Sequence, residues 1–569
     1  MKVLFTALHF ANYRNFESVI RSLAARGHHV HLLADERETF GGQAFVERLA
    51  AAYPNVSFGL TPSPVDEPWF YLAQKVRFAL DYVRFLDSRY AAAEKLRLRN
   101  IERTPRVIKW MTSGIGAAVI GHRTTAALLK VIERRLPPSL AITKLLEAQH
   151  PDVVLLTSLT FSRSFAMEQV KAAQTLGIST AAGIMSWDHL SSKALIHIQP
   201  DTTIVWNDVQ KREAIEMHDL PESRIVVTGA QCYDQWFDKT PERSREQFCR
   251  AMGLDPHRPF VLYVCSAMSP VPDPTEPVFV KRWIAALRSS SDPVLRTAGV
   301  LVRPHPERIK EWAGISLEGL DNVAMSGRNP IDAEAKADYF ESIFYSSAVV
   351  GLCTTVFLEA AIIGRPVLTM QLPAYRMHQD GMVHFQYLLN VEGGLLHTAP
   401  DVASHLSHLA EVMKGDGSRE ERNLRFLTAF VRPGGLGSPS TPRFVEAVES
   451  LGRREGDSHP RPAFDDVPLV LRAAIRASNT SVGRWLLMDA LDIARENSER
   501  ANRAHKEQVL GARAAYRDRE QREREAIIRA TRQERTAKEW RKWRRGLSAR
   551  KQVARLKASV KRLIEVDHH

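Results

Sequence analysis

Residues 2–36 read KVLFTALHFANYRNFESVIRSLAARGHHVHLLADE, and their pattern sets the fold. KVLFTALHF is an apolar run of strand length. Phe16, Val19, Ile20 and Leu23 then recur at helical spacing, and Gly27 stands where a left-handed residue would end the helix. VHLLAD follows as a buried second strand. Strand, loop, helix, strand makes one βαβ unit, a weak signal until it repeats. It repeats at PDVVLLTS (151–158), ISTAAGIM (178–185) and TTIVW (202–206), with helix-length segments such as SFAMEQVKAAQTLG between them. Alternation of this kind predicts a parallel, doubly wound sheet.

A second α/β series starts at PFVLYVCSA (259–267) and runs through GVLVRPHP (299–306), NVAMS (322–326), AVVGLC (348–353) and RPVLTM (365–370). Two Rossmann-type halves leave a cleft between the carboxyl ends of their strands, where open α/β sheets bind ligands. The sequence divides into a first domain over 1–235, a linker over 236–258, a second domain over 259–452 and a helical basic tail over 453–569. The linker, WFDKTPERSREQFCRAMGLDPHR, is charged and flanked by prolines. Residues 66–148 read as a helical insertion in the first domain, rich in aromatic and basic residues such as Trp69, Phe70, Tyr82 and Trp110. Those aromatics suit plain core; an acceptor-facing or membrane-facing role is the alternative.

The chain has 569 residues, 44% hydrophobic and 25% charged, which is ordinary globular usage and length enough for several domains. Its formal charge of +13 suggests nucleic acid at first sight. Residues 500–569, however, hold 22 Lys and Arg against 9 Asp and Glu, so the whole excess belongs to the tail and the body is balanced. The four cysteines, Cys232, Cys249, Cys265 and Cys353, show no zinc or redox spacing and read as buried thiols in a reducing compartment. The N-terminal apolar run is too short for a signal sequence, and no stretch reaches the ~18 apolar residues of a membrane span. A cytoplasmic location follows as the expectation.

The residues with chemistry lie mainly in the second half. CTTVFLEAAIIGRPVLT (353–369) runs from a strand into Thr354 and Thr355 and then a helix ending at Gly364. Hydroxyls and free N–H groups at a helix start suit a phosphate, and Glu359, one turn on, suits two ribose hydroxyls. An incidental Glu on a capped helix is the plain alternative. In VLVRPHP, Arg303 and His305 stand at a strand end, a cation and an imidazole fit for a diphosphate or a departing nucleotide; His305 as a mere turn residue is the other reading. Ser326 ends the next strand and joins this donor group. SWDHLSSK (186–193) puts Trp187, Asp188, Ser191 and Lys193 at another strand exit, either a sugar or acceptor site or a capped helix start. His9 ends the first strand.

Thr355, Glu359-Ala360 and Gly364-Arg365-Pro366-Val367 resemble the donor domain of GT-B glycosyltransferases. VLVRPHP is similar to the His-Pro motif of bacterial sialyltransferases and CDP-glycerol glycerophosphotransferase relatives. With DYFESIFYSSAVVGLCTTVFLEAAIIGRPV (338–367) and FVRPGGLGSPSTPRFVEAV (430–448), residues 1–450 resemble bacterial GT-B proteins near the CDP-glycerol and capsule-polysaccharide transferases. The resemblance implies a GT-B-like fold and transfer of a sugar from a nucleotide-sugar to a cell-envelope, polysaccharide or lipid-linked acceptor. It also implies that His9 is a general base, as is the corresponding loop His of inverting GT-B enzymes; Asp188, from the 186–193 cluster, is the other catalytic candidate. The competing reading is that His9 bonds backbone in a tight turn. The chain departs from those enzymes in lacking a Gly-rich first loop. With no Asp-x-Asp at a strand end, neither a metal nor another cofactor is expected. The alternatives are CDP-glycerol-type transfer of a glycerol phosphate, a noncatalytic sugar-nucleotide-binding scaffold, and a non-hydrolysing sugar-nucleotide epimerase.

In the tail, Trp540, Trp543, Leu547, Leu556, Val560 and Leu563 recur at helical spacing among Arg541, Lys542, Arg544, Arg545, Arg550, Lys551 and Arg555. Such a stripe predicts a helix lying on an anionic membrane surface on the cytoplasmic side. A coiled coil or partner helix through REQREREAIIRATRQER (519–535) and nucleic acid are the rivals, nucleic acid the weakest because the body carries no basic excess.

Overall fold

Strands with both faces covered by helices are apolar along their length, which is why the runs quoted above carry no polar alternation. In the computed structural model they form two parallel sheets. The structure describes residues 1–36, 41–90, 93–268, 271–327, 330, 333–415, 418–453, 466–489, 492, 538, 540–548 and 550–559. It divides into units 1–489 and 490–569.

The first sheet holds β1 (Lys2–Ala7), β2 (His29–Ala34), β3 (Val56–Leu60), β4 (Val153–Leu156), β5 (Ser179–Gly183), β6 (Thr202–Val205) and β7 (Ile225–Val227), in the order β3-β2-β1-β4-β5-β6-β7. β1 pairs with β2 from Lys2 opposite His29 to Ala7 opposite Ala34, and with β4 from Val3 opposite Val153. The second sheet holds β8 (Phe260–Val264), β9 (Gly299–Arg303), β10 (Val323–Met325), β11 (Ala348–Val350), β12 (Val367–Met370) and β13 (His397–Ala399), in the order β10-β9-β8-β11-β12-β13. In each sheet the order reverses beside the first strand, at β1/β4 and β8/β11. This is the two-domain GT-B-like architecture expected, with a switch-point crevice in each half.

The connection from first to second domain is structured. Helix Arg245–Met252 lies inside the expected linker and starts at a capping box formed by Ser244 and Gln247. Its Phe248 and Cys249 are buried, Phe248 stacking on Phe260 of β8 at 6.2 Å. Charge on one face had made this stretch look like a linker; its apolar face is core.

The chain then returns. Helix Ser440–Leu451, numbered with the second domain, buries Phe444, Val445, Val448 and Leu451 against the first sheet. Phe444 meets Phe16 edge-on at 5.8 Å. The sequence makes room for it: a Cβ on Gly183 would lie 2.8 Å from the Phe444 ring. Asp234 pins the crossing, accepting from the Ser440 and Thr441 N–H groups at 2.9 and 2.7 Å and from Arg432 Nη2 at 2.9 Å.

The insertion comprises helices Phe70–Arg84, Glu94–Glu102, Arg106–Met111, Gly114–Val119, Gly121–Arg135 and Leu140–Gln149. Its aromatics are mostly core: Trp69, Phe70, Tyr82, Phe85 and Tyr90 are buried, and Trp110 is exposed. Buried charge ties it to the body, since Arg77 bridges Glu133 at 2.8 Å and Glu168 at 2.5 Å, and Lys171 meets Glu133 at 2.8 Å. Residues 466–489, numbered with the tail, also belong here. Val467 and Ile475 enter the insertion core, and Lys75 pairs with Asp489 at 2.6 Å with both side chains inaccessible. Of the basic tail, residues 540–548 and 550–559 are helical with every side chain exposed. Residues 500–537, where the coiled coil was expected, and 560–569, with Val560 and Leu563, lie outside the described residues.

Candidate functional site

At the carboxyl ends of the second sheet, β9 delivers Arg303, buried, and His305, half-buried. Val264 of β8 pairs in register with Arg303. Between two prolines His305 starts a short turn, Pro306–Trp312, and its Nδ1 accepts from the Glu307 N–H at 3.3 Å. An accepting Nδ1 places the ring proton on Nε2, so His305 both caps the turn and keeps one outward donor. Burial pushes its pKa down, against Glu307, which favours that neutral form. Ser326, at the end of β10, bonds through its N–H to Val302 of β9 at 3.0 Å, which sets its half-buried side chain beside the Arg303 end.

β11 runs through Gly351 into Thr354 and Thr355. A Cβ on Gly351 would sit 2.9 Å from the Val264 oxygen, so a side chain there would push this loop off β8. Thr355 is the exposed N-cap of helix Val356–Ile362 and makes no capping bond through its side chain; Thr354 Oγ1 accepts from Val356 N–H at 3.4 Å. The helix has only seven residues, so its dipole is that of about two turns. The hydroxyls and loop N–H groups therefore carry more of any phosphate binding than the helix expected from sequence would.

Glu359 does not stand alone. The Tyr339 hydroxyl, from helix Ala333–Phe344, donates to its Oε2, and the Arg303 guanidinium lies over the Tyr339 ring at 5.2 Å. Arg303, Tyr339 and Glu359 thus form one line across three elements. Burial pushes the Glu359 carboxyl up to about 7, while Tyr339 and the Arg14 charge oppose the rise. Arg14 comes from the turn Phe10–Phe16 after β1, so the first domain reaches the second here. Tyr339 was invisible in sequence, where DYFESIF reads as an apolar helix face.

His9 follows β1. Its backbone forms the turn, donating to Asn12 Oδ1 at 3.0 Å and accepting from Asn12 N–H at 3.0 Å. The side chain faces the Asn12 N–H in a capping-box arrangement, and its Nδ1 is buried without a hydrogen bond among the described residues.

The 186–193 cluster is knitted to itself. Asp188 accepts from the Ser186 and Ser192 hydroxyls at 2.6 and 2.8 Å, and Ser191 Oγ donates to the Asp188 carbonyl at 3.3 Å. Burial works to raise the Asp188 carboxyl, but neighbouring charge and the hydroxyl bonds hold it far below the usual range. His189 and His384 contribute only when protonated, and burial pushes both down to about 4. At neutral pH Lys193 and the two hydroxyls do the holding. An acid so held is a weak base, better suited to anchoring than to proton abstraction. Trp187, one of the sugar or acceptor candidates, is buried and meets His384 edge-on at 4.9 Å and Phe430 at 6.3 Å, joining the domains. Lys193 is half-buried, 6.0 Å over the Phe161 ring.

A separate cavity of about 630 Å³ lies between the insertion and the first domain, lined by Arg84, Tyr90, Lys130, Leu195 and His218 among others.

No protein-family model matches the sequence, and no curated protein is significantly similar to it. Solved structures with a similar arrangement include a glycosyltransferase from Rickettsia africae, 11% identical over 80% of this chain and 99% of its own, with a TM-score of 0.46. A UDP-GlcNAc 2-epimerase from Neisseria meningitidis is 12% identical, covering 79% and 100%, with a TM-score of 0.46. HepE from Anabaena is 11% identical, covering 79% and 100%, with a TM-score of 0.43.

Proposed function

We propose that this protein is a GT-B glycosyltransferase that takes a sugar from a nucleotide-sugar held by its second domain and passes it to a cell-envelope, polysaccharide or lipid-linked acceptor at the first. The observation that carries the reading is the Arg303–Tyr339–Glu359 line beside the outward donor of His305. Glu359 would exchange its bond to Tyr339 for two ribose hydroxyls. Arg303, His305, Ser326 and the Thr354–Thr355 loop would hold the diphosphate, and their positive character would stabilise the charge that grows as the anomeric bond breaks. This scheme draws on no metal. His9, with an unpartnered ring nitrogen at the end of β1, would take the proton of the attacking acceptor hydroxyl. Asp188 is the reserve for that role; its depressed pKa argues for His9 first.

Peripheral attachment to the inner face of an anionic membrane is part of the same reading. It rests on two exposed apolar surfaces flanked by cations. One is Trp110, Ile115 and Val119 of the insertion, at 63%, 81% and 77% exposure; the other is Trp540, Trp543 and Leu556 of the tail. No helix among the described residues is long and apolar enough to cross a membrane.

The test is thermal denaturation of the full chain with UDP, CDP and CMP. A ligand at 100 times its Kd stabilises the folded state by about 2.7 kcal/mol. A shift with UDP supports sugar transfer, and a shift with CDP alone favours the CDP-glycerol alternative. No shift with any of them removes the nucleotide reading and leaves a scaffold role.

A further inference from the structure

Helix Glu94–Glu102 of the insertion spaces Lys95, Arg99 and, just past its end, Arg103 four residues apart, on one face. That face meets the loops after β4 and β5 and the second domain. Arg99 donates to the Ser192 carbonyl, Arg103 Nη1 donates to Ser162 Oγ at 3.3 Å, and Lys95 Nζ reaches across to His378 Nδ1 of the second domain at 2.8 Å. Lys193 follows Ser192, and its Nζ lies 6.0 Å over the ring of Phe161, next to Ser162. All four are half-buried, the helix's own acids Glu94 and Glu102 are exposed, and none of the four has an ion pair among the described residues.

The surrounding acids do not balance them. Asp188 is ionised but bonded to two hydroxyls. Glu213 accepts from Tyr387 at 2.7 Å and burial pushes it up to about 7; the Cys353 thiol is pushed by burial up to about 12. Asp81 pairs with His197 at 3.3 Å. His189 and His384, pushed down to about 4, bring no charge at neutral pH. Burial lowers Lys95 to about 8 and Arg99 to about 10, and in both cases neighbouring cations add to the fall. Four half-buried cations against two carboxylates, Asp188 and the His197-paired Asp81, leave an excess of positive charge that is costly unless an anion completes it.

We propose that Lys95, Arg99, Arg103 and Lys193 form a phosphate subsite between helix Glu94–Glu102 and the loop after β5. Guanidinium forks and ammonium groups gathered in one cluster match the several oxygens of a phosphate monoester or diphosphate. The place of the subsite in a reaction rests on the glycosyltransferase reading: the phosphate belongs either to the acceptor, which would then be a phosphorylated sugar or lipid, or to the donor's diphosphate. Lys95 reaches the second domain through His378, and its charge acts on the Cys353 thiol, next to Thr354 of the donor loop.

Inorganic phosphate is titrated calorimetrically into the full chain, alone and with UDP, CDP or CMP at saturation. The parent should bind phosphate saturably, and Lys95→Gln/Arg99→Gln should weaken it at least tenfold, with circular dichroism unchanged. Lys193→Gln and Arg103→Gln, at half-exposed positions, serve as single variants if the double variant fails to fold, each expected to weaken phosphate several-fold. Phosphate binding that persists alongside bound nucleotide assigns the subsite to the acceptor; competition with nucleotide, together with loss of nucleotide affinity in the variants, assigns it to the donor. Absence of saturable phosphate binding in the parent, or affinity unchanged in the folded variants, overturns the proposal. The phosphate titration needs no nucleotide, so a parent that binds phosphate but no nucleotide sinks the glycosyltransferase reading and not this one.

Discussion

Replacing Asp234 by Ala should loosen the join between the two domains more than any other single change at the crossing. Its carboxylate receives the guanidinium of Arg432, the N–H groups of Ser440 and Thr441 and the Thr441 hydroxyl at 2.7 Å, all buried. Removing it leaves the Arg432 charge, 4% exposed, without its acid. Breaking a buried pair from one side costs about 3–5 kcal/mol, and loss of the cap on helix Ser440–Leu451 costs about 1 kcal/mol. Because one carboxylate makes all these contacts the terms overlap, and we expect a total of about 4 kcal/mol. Two readouts check it. Urea denaturation should show the loss, with Asp234→Asn intermediate because it keeps shape and gives up charge. Hydrogen exchange should rise in 440–451 before it rises in β1 or β8. A loss below about 1 kcal/mol, or exchange in 440–451 like that of the parent, would refute the view that Asp234 holds the return helix.

Glu276, buried against Tyr263 and the Ser266 N–H, has its carboxyl pushed up by burial to about 8. A raised carboxyl contributes stability that is present below its unfolded pKa of about 4.5 and lost as pH rises through 8. Glu276→Gln should therefore match the parent near pH 4 and exceed it by on the order of 4 kcal/mol near pH 9 in denaturation; a constant difference across that range would contradict the protonated carboxyl. His9→Ala should lower turnover by about 10²–10⁴-fold while donor affinity is kept, and normal turnover at saturation would remove His9 from the mechanism. The full chain should float with anionic vesicles and the 1–499 truncation should not; flotation of both would move the contact to the Trp110 surface, and flotation of neither would discard the membrane reading.

The strands that sequence reading finds are those buried on both faces, where burial demands an unbroken apolar run. Those it misses are edges. VSFGL (β3) and IVV (β7) border the first sheet and HTA (β13) the second, each short and partly exposed, so only one side of the strand is constrained by core. NVAMS, also an edge, is read as a strand from its short apolar run between GVLVRPHP and AVVGLC. Residues 440–451 and 466–489 were assigned by position along the chain, and their true neighbours lie hundreds of residues back, through Asp234, Phe16 and Lys75. At the site, Arg303 and His305 could be picked out because strand ends point into a switch-point crevice, and Glu359 because it lies one turn into the helix that follows β11. Their partners could not. Tyr339 sits mid-helix and Lys95 within the insertion, and neither position carries a local signal, because the contact that defines each comes from another element. Trp187 shows the converse: a large aromatic at a strand exit reads as a sugar or acceptor candidate, yet the opposing domain covers it.

We propose that the second domain holds a nucleotide through Glu359 and His305. Calorimetric titration of the nucleotide that most stabilises the parent, repeated with Glu359→Gln and His305→Ala, measures it directly. Burial sets Glu359 near pKa 7, so binding that needs its ionised form should tighten in the parent between pH 6 and pH 8, and Glu359→Gln should lose that dependence. Both variants should bind at least tenfold more weakly than the parent at pH 8 while keeping its circular dichroism. Parent-like affinity in both, with the same pH profile, would contradict the claim.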